Sequence, residues 1–182
     1  PMGALVQLFR DIAAGKPGNL THVGLGTFID PRVDGVKLNE LTKSQGEDLI
    51  TVVNVDGKDY LLYRAFPIHV ALLRGTTADS DGNITMEKES MVLDALSMAQ
   101  ATRNSGGVVI VQVERLADRG TLNAREVIIP GILVDCVVVA KPENHWQTFG
   151  EQYSAAFSCE QRVPMRSEER RVGKECRARW SP

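Results

Sequence analysis

Residues 87–113 read EKESMVLDALSMAQATRNSGGVVIVQV, and the fold class turns on them. From Glu87 to about Arg103, Met91, Val92, Ala95, Leu96 and Ala99 recur at helical spacing, which predicts an amphipathic helix with that face buried. Glu87 and Glu89 fall in its first turn, where a carboxylate meets the positive end of the helix dipole. Asn104-Ser105-Gly106-Gly107 ends it. Val108–Val113 is then almost wholly apolar, as expected of a strand buried on both faces of a parallel sheet. A helix feeding such a strand is the repeating unit of α/β folds.

Working outward, the same strand pattern returns at His69–Leu73 (HVALL) and Leu133–Val139 (LVDCVVV). Cys136 sits inside the latter and reads as a small core residue. Residues 2–14 place Met2, Leu5, Val6, Phe9, Ile12 and Ala13 on one helical face, and Gly15-Lys16-Pro17-Gly18 stops that helix. Ile50–Val55 and Tyr60–Tyr63 are β-like runs separated by Asp56-Gly57, a strong hairpin signal because both turn positions favour positive φ. The expected architecture is α/β: an open, mostly parallel sheet with flanking helices.

The chain has 182 residues, 43% hydrophobic and 24% charged, enough for one domain with a core. Its net charge of −2 argues against nucleic acid as a partner, since phosphate recognition calls for a basic surface. No apolar run approaches the ~20 residues that span a bilayer, so no membrane segment is expected, nor does the opening resemble a signal peptide. Cys136, Cys159 and Cys176 form no CxxC pair, which fits a reduced, cytoplasmic setting. Arg166–Pro182 (RSEERRVGKECRARWSP) is basic and lacks the periodicity of its neighbours. It resembles translated sequencing-adapter read-through and is expected to be non-native, leaving residues 1–165 as the natural domain.

Two loops are candidates for chemistry. Val23–Arg32 (VGLGTFIDPR) contains Gly24-Leu25-Gly26, which is no dinucleotide fingerprint because Ile29 stands where the third glycine belongs. It is either a turn needing glycine or a loop whose backbone approaches a ligand. Arg74–Asn83 (RGTTADSDGN) follows the carboxyl end of a buried strand, where open α/β sheets bind ligands, and it is either a ligand loop or a set of Asx-type turns. His22, His69 and His145 are isolated from other ligand types and read as structural. Glu87, Glu89 and Glu114 read as solvated or dipole-satisfying carboxylates. The sequence has no Gly-x-Ser-x-Gly elbow, HExxH or P-loop.

Four blocks, PMGALVQLFRDIAAGKPG, VGLGTFIDPRVDGVKLNELT, FPIHVALLRGTTADSDGNITMEKE and IPGILVDCVVVAKPENHWQT, together resemble the acetate/propionate branch of the family I coenzyme A transferases, in the family's order across nearly all of residues 1–165. The resemblance implies an incomplete coenzyme A transferase fold, in which two similar halves face each other across the active site and this chain is most of the first. It implies exchange of coenzyme A between a short-chain acyl-CoA and a free carboxylate, with coenzyme A as substrate and no further cofactor. A glutamate of the second half attacks the thioester. The mixed anhydride that forms is opened by coenzyme A thiolate to a glutamyl thioester, and the acceptor carboxylate reverses the steps.

That glutamate lies in a Glu-x-Gly turn, and no such turn occurs here, so no catalytic residue carries over and the chain alone is expected to be inactive. The first-half wall does carry over as substrate- or CoA-binding residues. Gly3 stands in the family's Gln-Gly pair, with Met2 in place of the Gln. Gly24, Gly26 and Thr27 match the loop over the acyl pocket, and Gly75, Thr76, Ala78, Asp79 and Asn83 the loop at the strand end. At Val36 relatives often have a glycine. The implied partners are acyl-CoA, short-chain carboxylates, the second half of the polypeptide and further copies in a homo-oligomer. An acyl-CoA hydrolase on the same fold and a non-catalytic ligand-binding module are the alternatives.

Overall fold

The computed structural model describes residues 1–162; the tail from Arg166 onward lies outside them. The chain runs α1 (Met2–Ala13), β1 (Gly18–Thr21), α2 (Glu40–Gln45), β2 (Ile50–Val55), β3 (Lys58–Arg64), β4 (Val70–Arg74), β5 (Thr77–Asp79), β6 (Ile84–Thr85), α3 (Ala95–Asn104), β7 (Val108–Val113), β8 (Arg115–Ala117), β9 (Val127–Ile129) and β10 (Cys136–Val139). The α/β reading holds. Its centre is a parallel sheet in the order β10-β7-β4, with Leu72 beside Ile110 and Val137 beside Val111. α3 packs on it, and Ala71, Leu73, Ala95, Ala99, Val109, Val111 and Val113 form the core between them.

Two further sheets flank it, and one of them consists of the short strands β5, β6, β8 and β9 that the periodicity missed. One is antiparallel, in the order β1-β3-β2, and contains the expected hairpin. Val55 pairs with Lys58 across a two-residue turn in which Asp56 (φ 51°) and Gly57 (φ 78°) are both left-handed. α1 rests against this sheet and α3, around a second core that includes Ala4, Leu8, Ile12, Ile29, Leu61 and Tyr63. The other sheet, β8-β5-β6-β9, folds the Arg74–Asn83 region into a ladder.

Four local expectations are corrected. The second helix begins at Ala95, not Glu87, because residues 87–88 are tied to the third sheet. The Glu87 carboxylate accepts from Thr77, Thr85 and Arg115, and the Lys88 N–H donates to Thr76 Oγ1. Leu93 is left-handed (φ 49°), so Met91 and Val92 are exposed rather than core. The buried face of α1 runs through Ala4, Leu8, Asp11 and Ile12, leaving Met2 and Leu5 outward; Asp11 is turned inward where Lys16 pairs with it at 2.9 Å. The last strand starts at Cys136, after a 3₁₀ turn at Gly131–Leu133, and Cys136 is exposed.

That exposure belongs to a larger feature. The register puts Val70, Leu72, Val108, Ile110, Cys136 and Val138 on one side of the parallel sheet, and among the described residues nothing covers it: Leu72 is 77% exposed. The strands are apolar on both faces, but only the α3 face is buried.

Candidate functional site

The carboxyl ends of the three parallel strands converge on a cavity of about 310 Å³. Arg74 ends β4, Glu114 follows β7, and Pro142 lies just beyond β10. Lys88 and Glu89 enter from the turn after β6, and His145, Gln147 and Tyr153 from the segment after β10. This is where open α/β sheets place their ligands, because the loops leaving the strands are free to vary there.

The segment from Pro142 to Glu160 is laid across these strand ends by polar contacts. Arg74 Nη1 donates to the Trp146 carbonyl at 2.6 Å. Gln112 Nε2, from β7, reaches the Asn144 carbonyl and His145 Nδ1, both at 3.0 Å. Gln147 donates to the Lys88 carbonyl at 2.7 Å and accepts from the Ser154 N–H at 2.8 Å. With Gln112 donating to Nδ1, the imidazole carries its proton on Nε2. That nitrogen has no hydrogen-bond partner and lies 3.6 Å from Glu89 Oε1. Burial and the Arg74 charge push the His145 imidazole below its ordinary value, against the pull of Glu89 and Glu114, so it is neutral at pH 7.

Glu89 is the centre of the charge pattern. Its side chain is 7% exposed, and Arg74 Nε lies 2.7 Å from its Oε2. The approach is off the N–H axis, so Arg74 Nε makes an ion contact rather than a directed hydrogen bond. Lys88 pairs with Glu114 at 2.9 Å and stands over the Tyr153 ring at 5.1 Å. The cavity therefore contains two cation–carboxylate pairs and a neutral histidine, a polar lining with no net charge.

These residues were missed in the sequence. Glu89 and Glu114 read there as helix-start and strand-end carboxylates and His145 as isolated. Glu89 is buried and paired, and His145 meets it from 56 residues away. Glu87 is likewise committed: burial works against its charge, but hydrogen bonds from Thr77, Thr85 and Arg115 outweigh it and hold the carboxyl below the usual range. The one sequence signal for the site was Arg74 itself, at the mouth of a buried strand.

The residues carried over by resemblance fall in three places. Gly3 is exposed in the first turn of α1. Gly24, Gly26 and Thr27 form a turn beside the second core. Asp30, almost fully buried, accepts from the Gly26 N–H and from Arg32, whose guanidinium holds its carboxyl far below the usual carboxylate range. A Cβ at Gly24 would come within 2.7 Å of the Tyr63 hydroxyl, so glycine is required there by packing. Gly75, Thr76, Ala78, Asp79 and Asn83 lie in and around β5. A Cβ at Gly75 would meet Ile84 Cγ2 at 2.3 Å. Thr76 and Ala78 are fully buried. Asp79 accepts from the Asp81 and Asn83 N–H groups and the Asn83 side chain, and Asn83 accepts from the Gly131 N–H. Of these loops, only the first residue of RGTTADSDGN, Arg74, lines the cavity.

The sequence model of the family described as Coenzyme A transferase matches residues 1–140. Caffeate CoA-transferase of Acetobacterium woodii is 51% identical over 166 residues, 91% of this chain and 31% of that protein. Acetate CoA-transferase YdiF of Escherichia coli K12 is 50% identical over 139 residues, 76% of this chain and 26% of that protein. The crystal structure of the acyl-CoA transferase YdiF apoenzyme from E. coli O157:H7 superposes with a TM-score of 0.82 at 44% identity, covering 91% of this chain and 32% of that one. The chain thus spans about a third of the length of these relatives. On the match over residues 1–140, it belongs to the coenzyme A transferase family.

Proposed function

We propose that this chain is the first-half wall of an enzyme that moves coenzyme A between a short-chain acyl-CoA and a free carboxylate, of the acetate/propionate type, through a glutamyl thioester. The observation that carries the reading is about 50% identity to two named CoA-transferases over most of the chain. The nucleophilic glutamate belongs to the part of the polypeptide outside this chain. The remaining chain covers the bare face of the β10-β7-β4 sheet, an apolar area that soluble proteins seldom leave open, and the complete protein assembles as a cytoplasmic homo-oligomer. Gly24, Gly26 and Thr27, together with Gly75–Asn83, shape the first-half side of the substrate cleft by holding their loops in place.

The chain's own residues have a limited part in the chemistry. Mixed anhydride and glutamyl thioester are both open to hydrolysis, so the site must exclude water while keeping dipoles aimed at the reacting carbonyl. The 142–160 segment over the strand ends serves the first need, and the paired charges of Arg74 and Lys88 the second. The test is a transfer assay. The chain, joined after residue 165 to the remainder of E. coli YdiF, is given acetyl-CoA and propionate, with the chain alone in parallel. The joined protein forms propionyl-CoA and the chain alone forms none. Activity of the chain alone, or none in a folded joined protein, would overturn the proposal.

A further inference from the structure

The chain contains two Trp, three Tyr and five Phe, and four of these ten rings fall within residues 146–157, at Trp146, Phe149, Tyr153 and Phe157. All four belong to the segment laid over the ends of the parallel strands. Phe149 is fully exposed, and the other three are nearly half exposed. Aromatic residues concentrate at the centres of protein interfaces, because each buries a large apolar area with few rotatable bonds to fix. A soluble surface seldom gathers them in one place without a partner.

The strip is held in one shape. The Gln147 and Thr148 N–H groups donate to the Gln152 and Glu151 carbonyls at 2.9 and 3.1 Å. Thr148 Oγ1 accepts from the Gly150 and Glu151 N–H groups at 3.3 and 3.0 Å, and the Ser154 N–H closes the loop on Gln147 Oε1. Phe149 therefore stands at the tip of a turn ordered by its own bonds. The strip is also tied to the rim of the 310 Å³ cavity, through the Trp146 carbonyl on Arg74 and the Gln147 side chain on the Lys88 carbonyl. A surface ordered in advance loses less freedom when a partner binds.

We propose that the aromatic strip from Trp146 to Phe157 is a docking surface for the part of the polypeptide outside this chain, which closes the cavity over the strand ends as it binds. The inference rests on the two-part transferase reading above, and it adds the strand ends to the bare sheet face as ground that the remaining chain covers. Two observations name this occupant. The two cations lining the cavity, Arg74 and Lys88, are committed to Glu89 and Glu114, so what the surface offers is its rings, which suit an apolar protein face. And this chain matches only 31% of the length of its caffeate CoA-transferase relative, which leaves a partner of ample size on the same polypeptide. A nucleophile carried by that partner has to approach the cavity past its rim, and the strip is part of that rim.

The test compares the 182-residue chain with the joined protein. Phe149→Cys replaces a fully exposed ring, and its labelling by a maleimide is read at that peptide by mass spectrometry, relative to Lys58→Cys beside the β2–β3 turn. Joining is expected to slow labelling at position 149 relative to position 58 by at least about a hundredfold, since reagent then reaches it only through opening of the interface. In the joined protein Phe149→Asp, which places a charge in the contact, is expected to lower transfer to propionate at least about tenfold. An unchanged labelling ratio would overturn the inference. So would protection of position 149 in the unjoined chain as its concentration rises, which would assign the strip to a second copy. Transfer by a joined protein whose position 149 stays reactive removes the docking surface and leaves the transferase standing, and no transfer from a folded joined protein removes both.

Discussion

Glu89 Oε1 stands 3.6 Å from His145 Nε2, and both side chains are less than a tenth exposed. Two groups 56 residues apart are thereby brought together over the ends of the parallel strands, with Arg74 on the other carboxylate oxygen. Burial of the imidazole at this point makes the site pH-sensitive. In the folded chain the imidazole titrates below its ordinary value, mainly through burial and the Arg74 charge, with Glu89 and Glu114 opposing. Between the folded value and 6.5 the unfolded state therefore binds more protons, so stability rises with pH across that window. The contribution is present above about pH 6.5 and is lost as pH falls toward the folded value. Urea midpoints at pH 7.5 and pH 5 should differ in that sense, and His145→Gln should reduce the difference; an unchanged slope would exclude His145 as the source.

Glu89→Ala removes the shared carboxylate and leaves Arg74 and His145 facing each other. Breaking a buried pair costs about 3–5 kcal/mol, and the partial exposure of Arg74 brings the expectation to about 2 kcal/mol. Equilibrium urea unfolding checks it. A cost below about 0.5 kcal/mol, the range of ordinary surface substitutions, would show that the pair contributes little.

Val36 is left-handed, with φ 66°, a conformation that a β-branched residue adopts only under strain. Its N–H is held by the Phe28 carbonyl at 3.0 Å, which keeps the turn closed in spite of the side chain. Val36→Gly should raise stability by about 1 kcal/mol. A loss on thermal unfolding would mean that the side chain's packing outweighs the strain.

Gly75→Ala tests whether that glycine serves packing. The added methyl would overlap Ile84 Cγ2, and Ile84 is fully buried. A cost of about 1–3 kcal/mol is expected. A neutral result would mean that Ile84 moves aside, freeing Gly75 for close approach to a ligand.

Where sequence spacing is regular and the partner local, the fold was legible. The β2–β3 hairpin followed from Asp56-Gly57, and β4, β7 and β10 from their apolar runs. The start of α3 was hidden because Glu87 is captured by Thr77, Thr85 and Arg115, contacts 2 to 28 residues away that no helical periodicity records. The fragment reading implies an uncovered apolar face, but which side of the sheet it is was hidden for the opposite reason: Val70, Leu72 and Val138 carry the same apolar signal whether covered or open. Of the site, only Arg74 had a positional cue. Glu89, His145 and Gln147 acquire meaning through contacts made after folding.

The reading that this chain is most of the first half of a two-part transferase is best tested by reading its source DNA through codon 165 and beyond. The expected result is that the basic stretch Arg166–Pro182 is replaced by a continuing frame that encodes a second half with a Glu-x-Gly turn. Genomic sequence that encodes Arg166–Pro182 and then stops would contradict it, and would make a ligand-binding domain without transferase chemistry the better description.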